Sequence, residues 1–282
     1  MKNWIIGAVL VLAAAAAWYF FTVYQPAKTD LAATAPVEIA EPVIEPAVIP
    51  EEPEPDEAAG TVFVPVSPPE TEEIPLPMLG ESDPVVLESL GELMGEPAVT
   101  QYIVSDNVIS RVVATIDTMG SRKIPGVVQA VHGPESSFAA TLNDDPETII
   151  NNEEGDEIPQ FFIDPSNYDR YTPYVDLLES MDSAQLVESY RSNYPLFQEA
   201  FRQMGYPEGD FDGRLIEIID ELLATPELTE PVDLVKPEAY FLFADPGLES
   251  RSAGQKILLR MGNENAARVK LKLTEVRALL SD

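Results

Sequence analysis

The sequence predicts a mainly α-helical fold with short β-strands, an α+β head domain carried on a disordered stalk behind an N-terminal transmembrane helix. Three observations lead to this prediction. Residues 5–24 form an uncharged apolar run, residues 25–80 are acidic and rich in proline, and residues 81–282 alternate helical periodicity with short β-prone runs. The predicted parts are therefore a membrane anchor at 1–24, a linker at 25–80 and a globular domain at 81–282, which is long enough to bury a core.

The membrane anchor is predicted from the length of the apolar run and from its ends. Its 20 residues match the apolar thickness of a bilayer when they are helical. The run ends in bulky aromatic residues, from Trp18 to Tyr24, which are typical of a membrane interface and unsuited to signal peptidase. The triplet at residues 33–35 is a conceivable cleavage site, but it lies well past the run. We therefore expect a retained single-pass anchor that contacts the lipid bilayer through residues 5–24.

The linker carries 12 prolines and 12 acidic residues against one basic residue, Lys28. Such a segment cannot bury a core, and its repeated Glu-Pro pairs favour an extended, solvated polyproline II chain. We expect a spacer that holds the head away from the membrane. A proline-rich ligand for a groove domain is the alternative, although no basic residue flanks a P-x-x-P unit.

Apolar residues recur at helical spacing along the head. Ser82, followed by Pro84, is expected to cap the first helix, Pro173 to confine the third helix to the residues after it, and Pro195 to kink or break the fourth. The apolar faces are Val86, Leu90, Leu93 and Met94; Val108, Val112, Ile116 and Met119; Tyr171, Tyr174, Val175, Leu178 and Met181; Leu186, Val187, Tyr190, Tyr194, Phe197 and Phe201; and Leu215, Ile218, Ile219, Leu222 and Leu223.

Short β-prone runs separate these helices, and residues 120–166 are predicted to be an irregular crossing with one short sheet. The β-prone runs are residues 127–131, 138–142, 161–163, 232–235 and 240–243.

The sign of the charge changes over residues 251–282, which hold seven Lys or Arg residues against three acidic ones. Such a basic end could bind an anionic envelope polymer, an acidic face of another protein, or the acidic helices of its own head. Intramolecular neutralisation is the commonest of the three, since cations also suit helix C-termini. The candidate interaction surface comprises Lys256, Arg260, Arg268, Lys270 and Lys272.

The last helix is predicted to begin at Asn263 or Asn265, after Gly262 ends a helix opened by Ser252 or Gly254. The apolar stripe along this helix, its seam, is only about two heptads long, so packing against the head is favoured over a homodimer through this helix. The seam residues are Ala266, Val269, Leu273, Val276 and Leu280, and the residues expected to face outward are Arg268, Lys272 and Glu275.

The composition excludes several classes of function. A formal net charge of −32 argues against a nucleic-acid partner, because phosphate backbones are bound by basic surfaces. The chain has no cysteine and a single histidine, His132, which excludes thiolate catalysis and any site that needs two imidazoles. We therefore predict no cofactor.

Two acidic loops come nearest to a calcium motif. Residues 143–157 are rich in oxygen ligands but lack a D-x-D-x-D-G register. Glu208, Asp210 and Asp212 follow the spacing of an EF-hand, but Ile219 stands where the bidentate glutamate belongs. A helix N-cap by Asp210 or Asp212 is the favoured interpretation, and no metal ligand is predicted.

No complete catalytic motif is present either. Ser252 and Lys256 stand one residue too far apart for S-x-x-K, and the glycines near them miss the P-loop spacing. His132 and Ser136 have no G-x-S-x-G elbow to support them. The sequence therefore predicts no catalytic residue.

Several segments of the head resemble a bacterial family known as domain of unknown function 3014. They run from DPVVLESLGELMG through IDPSNYDRY, YPLFQEAFRQMGYP and IIDELLATPE to FADPGLESRSAGQKILLRMG. The last block, with its unusual order of small and charged residues, is the most specific. The resemblance implies a membrane-anchored, largely helical head, and it implies no activity, ligand or catalytic residue.

In a bacterium, the positive-inside rule gives a narrow preference for a cytoplasmic N-terminus, because Lys2 precedes the anchor. We therefore expect a single-pass inner-membrane protein with a periplasmic C-terminal domain. Its expected function is non-catalytic binding of an envelope protein or cell-wall polymer. The alternative is a cell-wall hydrolase or another carboxylate-based enzyme.

Overall fold

The computed structural model describes residues 76–281, except 135, 146–149, 152–154, 156, 230 and 238–239. The predicted anchor and residues 25–75 of the linker lie outside the described residues. Leu76 and Leu79 already pack against the helical core, ahead of the boundary predicted at residue 81. Within the described part of the chain, no helix is both long and apolar enough to cross a bilayer.

The described residues are mainly helical, with a few short strands, so the predicted α+β class is confirmed for this part of the chain. The helices are α1 Asp83–Met94, α2 Glu96–Tyr102, α3 Val108–Met119, α4 Ser166–Ser180, α5 Ser183–Gln203, α6 Phe211–Leu223, α7 Pro246–Glu249, α8 Ala253–Arg260 and α9 Gly262–Ser281, with 3-10 turns at Leu79–Glu81 and Gly126–Val128. The strands are β1 Ala140–Leu142, β2 Ile150–Asn151, β3 Glu157–Ile158, β4 Gln160–Ile163, β5 Asp233–Val235 and β6 Leu242–Phe243.

Short polar side chains begin most of the later helices, as their sequences indicate. The carboxylate of Asp210 accepts a hydrogen bond from the amide of Gly213 at the start of α6, and Ser252 does the same for Gln255 at the start of α8. Ser82 does not cap α1, because its hydroxyl donates back to Leu79 O at 2.7 Å.

The structure corrects the expectation that Pro173 confines its helix to the residues after it, and it excludes the break that was the alternative to a kink at Pro195. Pro173 lies within α4 and Pro195 lies within α5, and both helices are continuous. Both prolines are exposed, so the carbonyl groups that lose their amide partners lie on the solvent side of each helix. Burial of the opposite faces, which include Tyr171 and Phe197, outweighs the local cost.

The strands form a four-stranded antiparallel sheet, with the order β1-β4-β5-β6, and a separate hairpin of β2 and β3. Three of the predicted β-prone runs supply β1, β4 and β5, and the run at 240–243 supplies β6. The run at 127–131 is a wrong prediction, since it forms a 3-10 turn and a single antiparallel bridge between Ile103 and Val131.

The helices surround one large apolar core, and α9 packs along α4, α5, α6 and α8. Val269, Leu273 and Val276, from the predicted seam, are buried in this core. Lys272 is buried as well, which corrects the prediction that it faces outward. A smaller apolar cluster joins the sheet to α8 through Leu234, Phe243 and Leu259 among others.

Candidate binding cleft

An open cleft of about 970 Å³ lies between the end of α2, the loop after the 3-10 turn Gly126–Val128 and the first half of α4. We refer to it as the cleft. Its described lining residues are Thr100, Gln101, Tyr102, Val104, Arg111, Gly126, Gln129, Val131, His132, Gly133, Pro134, Ser136, Arg170, Pro173 and Tyr174.

Backbone hydrogen bonds fix one wall of the cleft. The chain leaving α2 pairs with the following loop, because Val104 N donates to Ala130 O at 3.0 Å and His132 N donates to Tyr102 O at 2.8 Å. These bonds flank the bridge between Ile103 and Val131, whose side chains are buried. The loop that carries His132 is therefore held in place by the end of α2, while the His132 side chain is exposed.

Two tyrosines join α2 to α4 beneath this loop. The ring centroids of Tyr102 and Tyr174 lie 4.9 Å apart with an interplanar angle of 62°, an edge-to-face contact. The hydroxyl of Tyr174 donates to His132 O at 3.1 Å. Both rings pack partly against the core and partly line the cleft. The cleft therefore has a rigid aromatic part.

Arg111 fastens the 3-10 turn to α3. Its Nη1 donates to Val127 O at 2.6 Å and to Gln129 O at 3.3 Å, and its Nη2 pairs with Asp106 at 2.7 Å. This bond and the charge of Arg111 keep the pKa of the Asp106 carboxyl below its ordinary value. Thr115 adds a hydrogen bond to Val128 O at 2.7 Å. The turn is thus held by three side-chain hydrogen bonds from α3.

Arg170 holds the far end of the same loop. Its Nε donates to Ser136 Oγ at 3.0 Å, its Nη2 donates to Ser136 O, and its Nη1 donates to Asn167 Oδ1 at 2.8 Å. Partial burial lowers the pKa of this guanidinium from its ordinary value. Asn167 is itself buried, and it accepts from Ala139 N and donates to Ala139 O. The cleft is therefore preorganised at both ends of the loop.

The chemistry of the cleft follows from these side chains. Its described lining includes two arginines, a histidine and two tyrosines, and it includes no Asp or Glu. Among the described residues, no group of three or more His, Cys, Asp or Glu side chains could hold a metal ion. Where a carboxyl pKa among the described residues is shifted, it is lowered, as at Asp106, Asp164, Glu179 and Glu275. The described lining therefore combines fixed arginine side chains with a partly exposed aromatic surface.

The candidate interaction surface at the C-terminus has a different environment. Arg260 and Lys256 are 1% and 2% exposed, and Lys272 is 9% exposed. Lys256 pairs with Glu249 at 2.9 Å, and Lys272 donates to Met181 O at 2.6 Å.

The two remaining residues of that surface are also bonded within the head. Arg268 pairs with Asp176 and Glu179, and Lys270 donates to Thr225 O. Carboxylates of the head thus neutralise Lys256 and Arg268, which favours the intramolecular alternative for these two residues, while Lys270 and Lys272 donate to backbone carbonyls. Binding of an outside partner by the five residues stays a prediction.

The family was identified by comparison with known proteins. The family model described as "Protein of unknown function (DUF3014)" matches residues 108–277, which is more than half of the chain. The chain belongs to this family. No curated protein and no solved structure matches it. The region matched by the DUF3014 model includes α3, α4 and the loop of the cleft, whereas α2, which contributes Tyr102, precedes it.

Sequence reasoning identified His132 and Ser136 as neighbours without a supporting motif, but it did not identify the cleft. Helix α2, with Gln101 and Tyr102, has no counterpart among the predicted helices. The sequence signal for the start of this helix is a glycine followed by Glu96 and Pro97, since proline is common in a first helical turn. The contact between α2 and the loop depends on long-range pairing that no local pattern shows.

Proposed function

We propose that this DUF3014 protein is a membrane-anchored envelope protein whose periplasmic head binds a protein or cell-wall partner through the cleft, without catalysing a reaction. The observation that carries the proposal is the cleft itself: an open site held by Arg111 and Arg170, lined by two tyrosines, and free of carboxylates among its described residues. Concave sites with a few fixed polar groups are the usual places for ligand binding.

The membrane part of the proposal is supported by the sequence. The uncharged run at residues 5–24 has the length of a transmembrane helix, and the acidic, proline-rich linker separates it from the head. A spacer of this kind suits a domain that must reach a partner at a distance from the bilayer.

Topology can be tested by cysteine labelling, because the chain has no cysteine of its own. Ser137 is exposed and is not among the described lining residues of the cleft, so we choose Ser137→Cys. We expect a membrane-impermeant maleimide to label the full-length variant in spheroplasts without lysis. Labelling only after lysis would contradict a periplasmic head.

Binding through the cleft can be tested with a photo-crosslinking amino acid in intact cells. It is introduced at Gln101, an exposed residue of the cleft, and at Leu271, which is 67% exposed on α9 and outside the cleft. We expect a discrete crosslinked species only at Gln101. Equal crosslinking at both positions, or none at Gln101, would overturn the proposal. Release of soluble fragments from purified cell walls by the full-length protein would favour the hydrolase alternative.

A further inference from the structure

We propose that residues 61–69 of the linker bind within their own chain to the aromatic part of the cleft and compete there with the partner of the head. This inference rests on the proposed function, because it concerns the regulation of the same site. The chain segments that form the aromatic part are all described, and its residues are Thr100, Gln101, Tyr102, Val104 and Tyr174.

The aromatic part has the features of a groove for a polyproline II segment. The rings of Tyr102 and Tyr174 are half-buried, and their edge-to-face contact and the bond from Tyr174 to His132 O hold them in one arrangement. Val104 adds a partly exposed apolar side chain. Fixed aromatic rings pack against the pyrrolidine rings of proline in the domains that recognise P-x-x-P segments, so this surface suits the same kind of ligand.

The polar groups beside the rings suit the backbone of such a segment. A polyproline II chain makes no internal hydrogen bonds, so its carbonyl groups can accept from the surface that binds it. Gln101 is exposed beside Tyr102 and its amide has two N–H donors, while the exposed Thr100 offers a hydroxyl. Arg111 and Arg170 are bonded within the head, so their role here is to hold the loop.

Residues 61–69 are the part of the linker that matches this surface. Their sequence is TVFVPVSPP, with a P-x-x-P unit that begins at Pro65, and they belong to the longest uncharged stretch of the linker, residues 58–69. The other P-x-x-P unit of the linker, which begins at Pro50, contains two glutamates that would lose hydration against aromatic rings. A basic flanking residue is not required, since the described lining has no Asp or Glu to pair with it.

The linker joins the head within reach of the cleft. Leu76, the first described residue, already packs against the core, and the carboxylate of Asp83 accepts a hydrogen bond from Val108 N at 2.8 Å. Val108 lies one helical turn before Arg111, which lines the cleft. Leu76 follows Pro65 by 11 residues, which span about 34 Å as polyproline II. The tether gives the segment a high effective concentration, so modest contacts are enough to hold it.

The test uses the purified full-length protein in detergent, with a photo-crosslinking amino acid at Gln101. Digestion after glutamate releases residues 58–70 as one fragment, because Glu57 and Glu70 flank them. Mass spectrometry then identifies the fragment joined to position 101. The same amino acid at Leu271, which is 67% exposed and outside the cleft, is the positional control.

Two linker variants test the role of the prolines. Pro65→Ala with Pro68→Ala alters the proposed segment, and Pro50→Ala with Pro53→Ala alters the acidic P-x-x-P unit as the matched control. All four positions precede the first residue that packs against the core, so both variants should show the thermal unfolding of the wild type.

We expect fragment 58–70 to be the main product from Gln101 and to be missing from Leu271. The change at Pro65 and Pro68 should lower its yield about fivefold or more, since both ring contacts and preorganisation are lost, while the control keeps the yield of the wild type. In intact cells, the same change should raise crosslinking of the partner at Gln101 by a few fold, because the cleft is vacated.

Several results would overturn the inference. These are equal yields of the fragment from Gln101 and Leu271, equal yields in the two linker variants, or unchanged crosslinking of the partner in cells. A crosslinked dimer of the purified protein would mean that a second copy supplies the segment, contrary to binding within one chain. In all these cases a partner captured at Gln101 in cells leaves the proposed function standing, whereas failure to capture one removes the proposed function.

Discussion

The basic residues at the C-terminus and the basic residues of the cleft have similar chemistry but different surroundings. Arg260 is fully buried, lies 5.2 Å from the ring centre of Phe138 and 5.1 Å from that of Phe243, and donates to Phe241 O at 2.8 Å. Arg111 and Arg170 also bind backbone carbonyls of their own chain, but they do so at the wall of an open cleft.

The difference shows that the number of cations in a segment does not reveal their role. The C-terminal cations connect α8 and α9 to the sheet and to neighbouring helices, so we expect their removal to reduce stability. The cleft residues support a surface that solvent and ligands can reach, so we expect changes at its exposed positions to alter binding. The following predictions separate these two effects, in order of decreasing size.

The largest effect is expected for Arg260→Ala. The change removes two cation–π contacts, leaves Phe241 O without its donor and opens a cavity in the smaller apolar cluster. We expect a loss of about 3–5 kcal/mol in the free energy of unfolding. Urea unfolding of the full-length protein in detergent, followed by circular dichroism, measures it. A loss no greater than that of Arg202→Ala, an exposed control on α5, would contradict this role.

A smaller loss is expected for Lys272→Ala on α9. Its Nζ donates to Met181 O at 2.6 Å and to Ser183 Oγ at 3.0 Å, and both bonds are buried. Removing the donor leaves a buried carbonyl unpaired, which costs about 2 kcal/mol. Thr274→Ala, on the exposed side of the same helix, is the control, and the same unfolding assay applies. Equal stabilities of the two variants would show that the buried ammonium group does not stabilise the head.

Tyr171 lies between the two regions, because its neighbour Arg170 lines the cleft while Tyr171 itself is buried in the core. Its hydroxyl is buried without a hydrogen-bond partner among the described residues. Tyr171→Phe should therefore stabilise the protein by about 1 kcal/mol at neutral pH, since an unpaired buried hydroxyl is removed. Destabilisation by the same amount in thermal unfolding would mean that this hydroxyl is satisfied.

The same substitution has a consequence at alkaline pH. Burial raises the pKa of Tyr171 to about 12, although the charges of Arg260 and Arg170 act in the opposite direction. The unfolded chain therefore loses this proton first, near a pKa of about 10. The contribution to stability is complete below pH 10 and is lost as the pH rises through 12. Tyr171→Phe should reduce the fall in the free energy of unfolding between pH 10 and pH 12. A pH profile of stability identical to that of the wild type would contradict the raised pKa of Tyr171.

A small effect is expected for Arg268→Gln. Arg268 pairs with Asp176 and Glu179 at the surface, and its hydrogen bond lowers the pKa of the Glu179 carboxyl. Exposed pairs are screened by solvent, so the expected loss is about 0.5 kcal/mol. The contribution of this ion pair to stability is complete above the ordinary carboxyl pKa and is lost as the pH falls through the lowered pKa of Glu179. Carboxyl NMR should show the pKa of Glu179 rising in the variant, and an unmoved titration would rule out the pair in solution.

The smallest change in stability is expected for Gln101→Ala, at the exposed edge of the cleft. The side chain is exposed, so we expect a change within about 0.5 kcal/mol. Binding of a partner in the cleft should nevertheless weaken. A large loss of stability with unchanged binding would mean that Gln101 supports the fold and not a binding surface, contrary to the difference between the two regions.

The local patterns of the sequence predicted most of the helices, and the reason is visible in their packing. In α3, Val108, Val112, Ile116 and Met119 recur at helical spacing, and all four are buried. The caps at Asp210 and Ser252 were also predictable, because capping depends on side chains within three residues. The sequence could not predict that Pro173 lies inside a continuous helix, because that outcome depends on tertiary burial of the opposite face.

The sequence by itself determined the family, the mainly helical class of the head and the acidic character of the chain, since these follow from composition, short-range periodicity and residue order. Only the tertiary structure decided the environment of each cation. Lys272 turns inward because Met181 O and Ser183 Oγ, distant in the chain, accept its hydrogen bonds. The cleft exists because the chain leaving α2 pairs with a loop and because Tyr102 of α2 packs edge-to-face on Tyr174 of α4. Contacts over such separations depend on the packing of the whole head, and no local pattern encodes them.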